Sequence, residues 1–151
     1  MHLEEVPKYR DTIVESICKC DKIIDLIRPS DLPEMTAAEM VDKYIFPYDR
    51  IIDKTSEVGV YICFDVVVPV VINRAFDDFR IVVRVIAHDR RMRTPKGLVT
   101  DLICAELDRL INGSKGFGVG KVEFKTWDSF NPAEGFYGRT LTYRTVDFNR
   151  E

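Results

Sequence analysis

Several stretches of this chain bring together residue types that could do chemistry. Glu123-x-Lys125, with Asp65 and Glu106 elsewhere, supplies the acids and the lysine that a small metal-dependent nuclease uses. That motif needs an upstream acid on an adjacent strand and usually a helix behind it, whereas here a loop and another strand are expected to follow. His88-Asp89 has the form of a metal phosphohydrolase dyad, but such sites need further histidines and the chain has only His2 besides. Gly113, Gly116, Gly118 and Gly120 ahead of Lys121 invite a phosphate loop. The Gly-x-x-x-x-Gly-Lys-Ser/Thr spacing is met in no register, Val122 follows the lysine, and the loop leaves a helix and enters a strand, the reverse of a phosphate cradle. Cys18-x-Cys20 is one close pair at the wrong spacing where zinc sites use two pairs. With Cys63 and Cys104 it reads as reduced, buried thiols. There is no Gly-x-Ser-x-Gly, and no cysteine has a plausible base near it in sequence. The residues therefore announce no catalytic set, no metal ligands and no cofactor.

The elements that would position any site are easier to read. Val60–Ile72 and Phe79–Ala87 are rich in β-branched and aromatic residues and flank a turn cluster at Asn73–Asp78. Every even position of the first strand and every odd position of the second is apolar, so antiparallel pairing puts both sets on one face, the core. The other face carries Tyr61, Cys63, Asp65, Val67, Pro69 and Val71 against Arg80, Val82, Arg84, Ile86 and His88. The tightest register sets Asp65 opposite Arg84, and a slip of two residues separates them. A face open to water would be more uniformly polar, so another segment or another subunit must cover part of it. Leu98–Ile111 is an amphipathic helix that stops at Asn112-Gly113, with Glu106 inside its apolar face. A carboxylate there needs a partner, for which Arg80, Arg84 or a neighbouring subunit are candidates.

The remaining chain fills in around these. Lys8–Arg28 has a helical stripe of Ile13, Ile17, Cys20, Ile24 and Ile27 and ends at Pro29. After a turn-rich connector to Pro33, Thr36 and Glu39 form a capping box for a short helix through about Tyr44. Ile45-Phe46-Pro47-Tyr48 is an apolar elbow that tucks under the sheet or anchors a neighbouring subunit through Phe46 and Tyr48. His88–Gly97 is the most basic stretch, a loop with Arg90, Arg91 and Arg93 that is solvated or meets an acidic surface. Val119–Trp127 alternates Val122, Phe124 and Thr126 with Lys121, Glu123 and Lys125, a strand with one wet face. Asp128–Gly138 reads as a long loop whose Phe130, Phe136 and Tyr137 need a docking surface, and Gly138–Phe148 as the last strand. The expected fold is α+β: an antiparallel sheet of two hairpins with helices packed on it, in the order α-α-β-β-α-β-β. It forms a single domain over residues 1–151, with the N-terminal helix and connector in 1–34 and the sheet-and-helix core in 35–151.

At 151 residues the chain can bury a core without disulfides or metal. A net charge of −3 argues against a protein that grips duplex DNA or a polybasic membrane binder. No run is long enough to span a bilayer, and the polar start has no signal-peptide pattern, so a cytoplasmic protein is expected.

The hairpin of Val60–Ile72 and Phe79–Ala87, the Leu98–Ile111 helix running into Asn112-Gly113, and the closing Phe136-Tyr-Gly-Arg-Thr-Leu-Thr-Tyr143 and Val146-Asp-Phe-Asn149 together resemble the tail-terminator and related neck proteins of tailed bacteriophages and phage-like particles. The resemblance covers most of the chain; the elbow at Phe46–Tyr48 departs from the most compact members. It implies a virion structural protein without enzymatic activity or cofactor, forming a ring, typically a hexamer, at the head–tail joint and assembled in the host cytoplasm. Its implied partners are other copies of itself, the tail tube protein and the head connector or stopper proteins, with DNA passing through without specific binding. Phe46, Tyr48, Arg90, Arg91, Arg93, Phe130, Phe136, Tyr137 and Arg139 are then the candidate subunit or partner interface. The competing classes are the small metal-dependent nuclease of a mobile element and a monomeric cytoplasmic adaptor.

Overall fold

The computed structural model describes residues 3–67, 79–112 and 121–146. Its elements are α1 (Val6–Cys18), α2 (Asp21–Ile27), α3 (Ala37–Met40), β1 (Ile45–Phe46), β2 (Val60–Val67), β3 (Phe79–His88), α4 (Asp89–Met92), β4 (Arg93–Thr94), β5 (Gly97–Leu98), α5 (Val99–Ile111), β6 (Lys121–Phe130) and β7 (Phe136–Val146), after a 3-10 turn at Leu3–Glu5. The main sheet has the order β1-β2-β3-β7-β6, antiparallel except where β1 joins β2, and β4 and β5 form a separate two-stranded ribbon. The fold is α+β. The expected turn at Asn73–Asp78, the continuation of the first strand to Ile72, the glycine-rich connector and Phe148 lie outside the described residues.

Period two dictates the sheet's inner face. Val60, Ile62 and Phe64 of β2 and Ile81, Val83, Val85 and Ala87 of β3 are buried, as are Leu141 and Tyr143 of β7. Onto this face pack α5 across β3 and β7, and α1 and α2 against β2. Val99, Ile103, Leu107 and Ile111 of α5 recur at helical spacing and join one cluster with Ile13, Ile17, Ile23, Ile24 and Ile27. Each such side chain removed from water contributes about 1.5–3 kcal/mol. Tyr143 is fully buried, and its hydroxyl is satisfied by donating to Asp108 Oδ1 of α5 at 2.8 Å.

Several expectations are corrected. The N-terminal helix is two helices, broken at Lys19-Cys20, where Cys20 turns extended (φ −89, ψ 96) and starts α2. A continuous helix would rotate Ile23 off the stripe of Ile13 and Ile17; the break resets the phase so that Ile23, Ile24 and Ile27 all reach the core. The capping box forms, with Thr36 Oγ1 accepting from the Glu39 amide and Glu39 Oε1 from the Thr36 amide. The bond to Thr36 holds the Glu39 carboxyl below its ordinary range. That helix nevertheless ends at Met40 rather than Tyr44, because Val41 is extended and Asp42 adopts φ 67. The register is the slipped one: Asp65 pairs with Val82 and Cys63 with Arg84. Arg84 instead binds Asp49 at 2.8 Å, and Asp65 binds Arg10 at 2.6 Å.

The largest correction is at β6 and β7. The long loop expected over Asp128–Gly138 is mostly strand; only 131–135 connect β6 to β7, with Gly135 at φ +83. A β-bulge at Lys125 breaks the alternation read from the sequence: Phe124 faces Tyr143 and Thr126 faces Thr142, so Lys125 is the extra residue. Past the bulge the phase inverts. Trp127, not Thr126, follows Phe124 onto the helix side, opposite Leu141.

Candidate functional site

The residues that could have formed a nuclease centre do not converge. Asp65 and Glu123 sit on β2 and β6, the first and last long strands, with β3 and β7 between them. At the usual strand spacing that is roughly 14 Å across the sheet. Glu106 lies on α5 beneath the opposite face, paired with Arg109 one turn on and with Lys22 of α2 at 4.0 Å, not with Arg80 or Arg84. Among the described residues no three of His, Cys, Asp or Glu come close enough to hold a metal ion. His88 is used structurally: its Nδ1 accepts from the Arg90 amide at 3.2 Å at the start of α4, and its ring meets Phe136 edge-on at 5.0 Å. All four cysteines are free, Cys63 and Cys104 buried and Cys18 and Cys20 half-buried. Burial pushes the Cys63 and Cys104 thiols up to about 11, so both stay protonated and non-nucleophilic at neutral pH.

The surfaces are more informative. The elbow, residues 44–52, wraps the β1 edge of the sheet and supplies the cover that the outer face requires. Phe46 is 1% exposed and stacks near Tyr61 (centroids 6.5 Å), with the Arg50 guanidinium 4.7 Å above its ring. Two arginines fasten the elbow: Arg84 through Asp49, and Arg10 of α1, which spans Pro47 O and Asp65. Phe46 is thus consumed in this chain's own core, while Tyr48, edge-on to Phe46 at 5.8 Å, remains on the surface, as does Ile51, which is 88% exposed.

The other aromatic and basic candidates divide similarly. Phe136 is buried between Tyr61 (6.4 Å) and His88, and Phe130 lies half-buried over Gly138. Neither needs a neighbour to cover it. Tyr137 and Arg139 are on β7, half-buried, with the Arg139 guanidinium 5.7 Å from the Tyr137 ring and 4.0 Å above Trp127. The basic stretch is not a bare loop: Arg90 and Arg91 lie in α4 and Arg93 starts the β4–β5 ribbon. Arg91 donates to the Leu26 and Arg28 carbonyls at 3.2 Å, closing the C-terminus of α2. Arg90 and Arg93 stay exposed. Of the nine candidates, Tyr48, Arg90 and Arg93 therefore offer free surface.

Sequence reasoning missed the apolar residues that stay in water. Phe124 and Trp127 are 42% and 43% exposed on edge strand β6. With Leu141, Cys104, Ala105, Asp101 and Asp108 they line a groove of about 290 Å³ between β6 and α5. The one available signal was the odd spacing from Phe124 to Trp127, which cannot place both on one face of a regular strand.

Among the described residues no helix is long and apolar enough to cross a membrane. No curated protein and no solved structure matches the chain. One family model, YomW, matches residues 15–145, which takes in α2 through β6, the end of α1 and all but the last residue of β7. The chain belongs to the YomW family, which is phage-derived.

Proposed function

We propose that this protein is a virion structural component, a ring-forming tail terminator or neck protein that joins a phage tail tube to the head connector and has no catalytic role. The observation that carries the proposal is the placement of its exposed apolar residues. Four of them stand at opposite edges of one sheet, Tyr48 and Ile51 in the segment after β1 and Phe124 and Trp127 on β6, while Leu32, Val58 and Val67 are exposed elsewhere. A subunit of a closed ring meets its two neighbours through unlike surfaces, one on each side. The phage origin of the family and the resemblance of the hairpin, α5 and the closing strand to neck proteins support the same reading. In it the virion head–tail joint is the final location, and the tube and connector proteins are the axial partners.

The test uses one variant at each edge, Ile51→Asp and Trp127→Lys, with mass measured by light scattering over a concentration series. The native chain is expected to give a discrete ring-sized oligomer and each variant a monomer. An equimolar mixture retains one good surface of each kind and is expected to stop at a heterodimer. A native chain that stays monomeric at every concentration, or a mixture that stays monomeric while the native chain assembles, refutes the two-edge ring.

A further inference from the structure

A hollow of about 660 Å³ opens between the connector after α2 and the elbow with the turn that follows it. Met35, Tyr44, Ile52 and Tyr61 line it from the core, while Leu32 and Ile51 stand 48% and 88% exposed at its mouth. A second hollow of about 610 Å³ continues along the connector and shares Leu32, Met35 and Lys43 with the first. Exposed apolar side chains gathered round one hollow, with charges at the rim, mark a surface that a partner covers. We infer that the partner is a second copy of this chain, whose β4–β5 ribbon seats in the hollow by complementary charge. The inference rests on the ring reading above and names one of its contacts.

The hollow is acidic. Asp31, Glu34, Glu39, Asp42, Asp53 and Glu57 line its two parts against Lys43 and Arg50, with Lys54 in the same turn as Asp53. Glu39 is engaged in the cap of α3, and Asp53 Oδ1 accepts from the amide and hydroxyl of Thr55. Among the described residues Asp31, Glu34, Asp42 and Glu57 enter no ion pair. Arg28 is paired with Asp25, and Arg91 is held by the carbonyls that close α2. Tyr44 registers the resulting field: burial raises its phenol first, Glu57 and Asp31 raise it further, and only Arg91 acts against them.

The ribbon carries the opposite sign. Arg90 of α4, Arg93 of β4 and Lys96 at the turn are exposed, and among the described residues none of them enters an ion pair. The acids beside them are Asp89 in the first turn of α4 and Glu134, next to Gly135, whose carbonyl accepts from the Asp89 amide at 2.9 Å. The tip is already set, because Thr94 Oγ1 donates to Gly97 O at 2.7 Å and accepts from the Lys96 amide at 3.2 Å. Little freedom is then lost on docking. Hollow and ribbon both belong to the end of the sheet marked by Val60, His88 and Phe136, whereas Val67, Phe79, Lys121 and Val146 mark the other end. β5 leads straight into α5, whose Asp101 lines the groove with Trp127, so the ribbon adjoins the β6 surface while the hollow includes Ile51. Two unlike surfaces of opposite charge are what a heterologous contact joins, and the charges fix how one copy sits on the next.

The experiment takes the full chain, a ribbon variant Arg93→Glu/Lys96→Glu, a hollow variant Asp31→Lys/Glu34→Lys/Glu57→Lys, the five changes combined, and Lys8→Glu/Lys19→Glu on α1 as the surface control. Mass is read by light scattering over a concentration series at about 50 mM and about 500 mM sodium chloride, with circular dichroism to follow the fold. The native chain and the control are expected to assemble alike, and the ribbon and hollow variants to assemble roughly tenfold or more weakly at the lower salt. The combined variant is expected to recover assembly, because an acidic ribbon then meets a basic hollow. Lost folding in either variant cannot imitate that recovery. A native assembly that both variants leave intact overturns the docking and leaves the ring standing. Loss in one variant only, or in both without recovery, means that the hollow takes another surface or another protein, and it overturns the ribbon as occupant. A native chain that stays monomeric at every concentration overturns the ring and this contact together.

Discussion

Gly138 of β7 and Phe130 of β6 give the sharpest energetic test, because the structure assigns opposite signs to one substitution in two backgrounds. The two residues are ladder partners, and the Phe130 ring lies across the bare glycine. A Cβ at position 138 would press into Phe130 Cε1 and stand 2.7 Å from Cζ. The glycine backbone is outside the positive-φ region, so alanine fits the strand and only the ring obstructs it. Overpacking of this kind costs about 1–3 kcal/mol. Alanine in place of glycine at a compatible position gives back about 0.4–1 kcal/mol through the unfolded chain. Gly138→Ala should therefore destabilise the native protein by about 0.5–2 kcal/mol, or several degrees in midpoint at ~2–4 °C per kcal/mol for a chain of this size. With the ring removed by Phe130→Ala, the same Gly138→Ala should stabilise by a few tenths of a kcal/mol. Urea unfolding of the four proteins, followed by far-UV circular dichroism, supplies the double-mutant cycle. Equal costs of Gly138→Ala in both backgrounds would refute the steric account.

Three further outcomes are expected. The buried thiols of Cys63 and Cys104 are raised from 9.0 to about 11 and the Tyr61 phenol from 10.0 to about 12, in each case by burial, and Tyr143 is raised too. Because the folded values lie above the unfolded ones, the thiols' contribution is whole below pH 9 and is lost as pH climbs through 9 to 11, on the order of 2–3 kcal/mol per thiol, and that of Tyr61 is whole below pH 10 and is lost between 10 and 12. Urea midpoints at pH 8, 9, 10 and 10.5 should fall, and Cys63→Ala/Cys104→Ala should flatten the fall; equal slopes would count against the assignment. Arg91→Met, which keeps the stem but drops the bonds to the Leu26 and Arg28 carbonyls, should cost about 1–3 kcal/mol and speed hydrogen exchange in α2 before α5. Thr36→Ala removes the cap of α3 and should cost about 0.5–2 kcal/mol in the denaturation midpoint, with oligomer mass unchanged.

What the sequence disclosed follows from where periodicity is strong. The inner face of β2 and β3 was readable because each strand has one phase filled with Val, Ile and Phe, and α5 because its apolar face closes at Asn112. The break between α1 and α2 was hidden: Lys19 and Cys20 contain no helix breaker, and only the position of Ile23, off the stripe, hinted that the phase must reset. The β2–β3 register depends on the turn, so two registers stayed open and the electrostatically attractive one was not taken. Phe46 and Phe136 looked like interface anchors because an aromatic in a proline elbow or beside glycine gives no sign of whether its own chain covers it. The loop at Asp128–Gly138 was overextended because Asp128, Ser129 and Asn131 are turn formers, whereas pairing with β7 keeps Asp128–Phe130 in the ladder.

One residue shapes the surface that the sequence could not locate. Without the extra position at Lys125, strict alternation would carry Trp127 to the outer face and leave the α5–β6 groove with Phe124 alone. Thr126 would turn inward against the helix. The bulge therefore widens the apolar surface on the helix side. Bulges gather at sheet edges, where they bend the strand and disturb the ladder that another chain would use as a template. An edge strand shaped this way resists indiscriminate pairing through its backbone while presenting Phe124 and Trp127 as side chains to be recognised. In the proposed ring such side chains would fix the orientation of one subunit on the next, and the rotation so fixed decides between a closed ring and an open fibre.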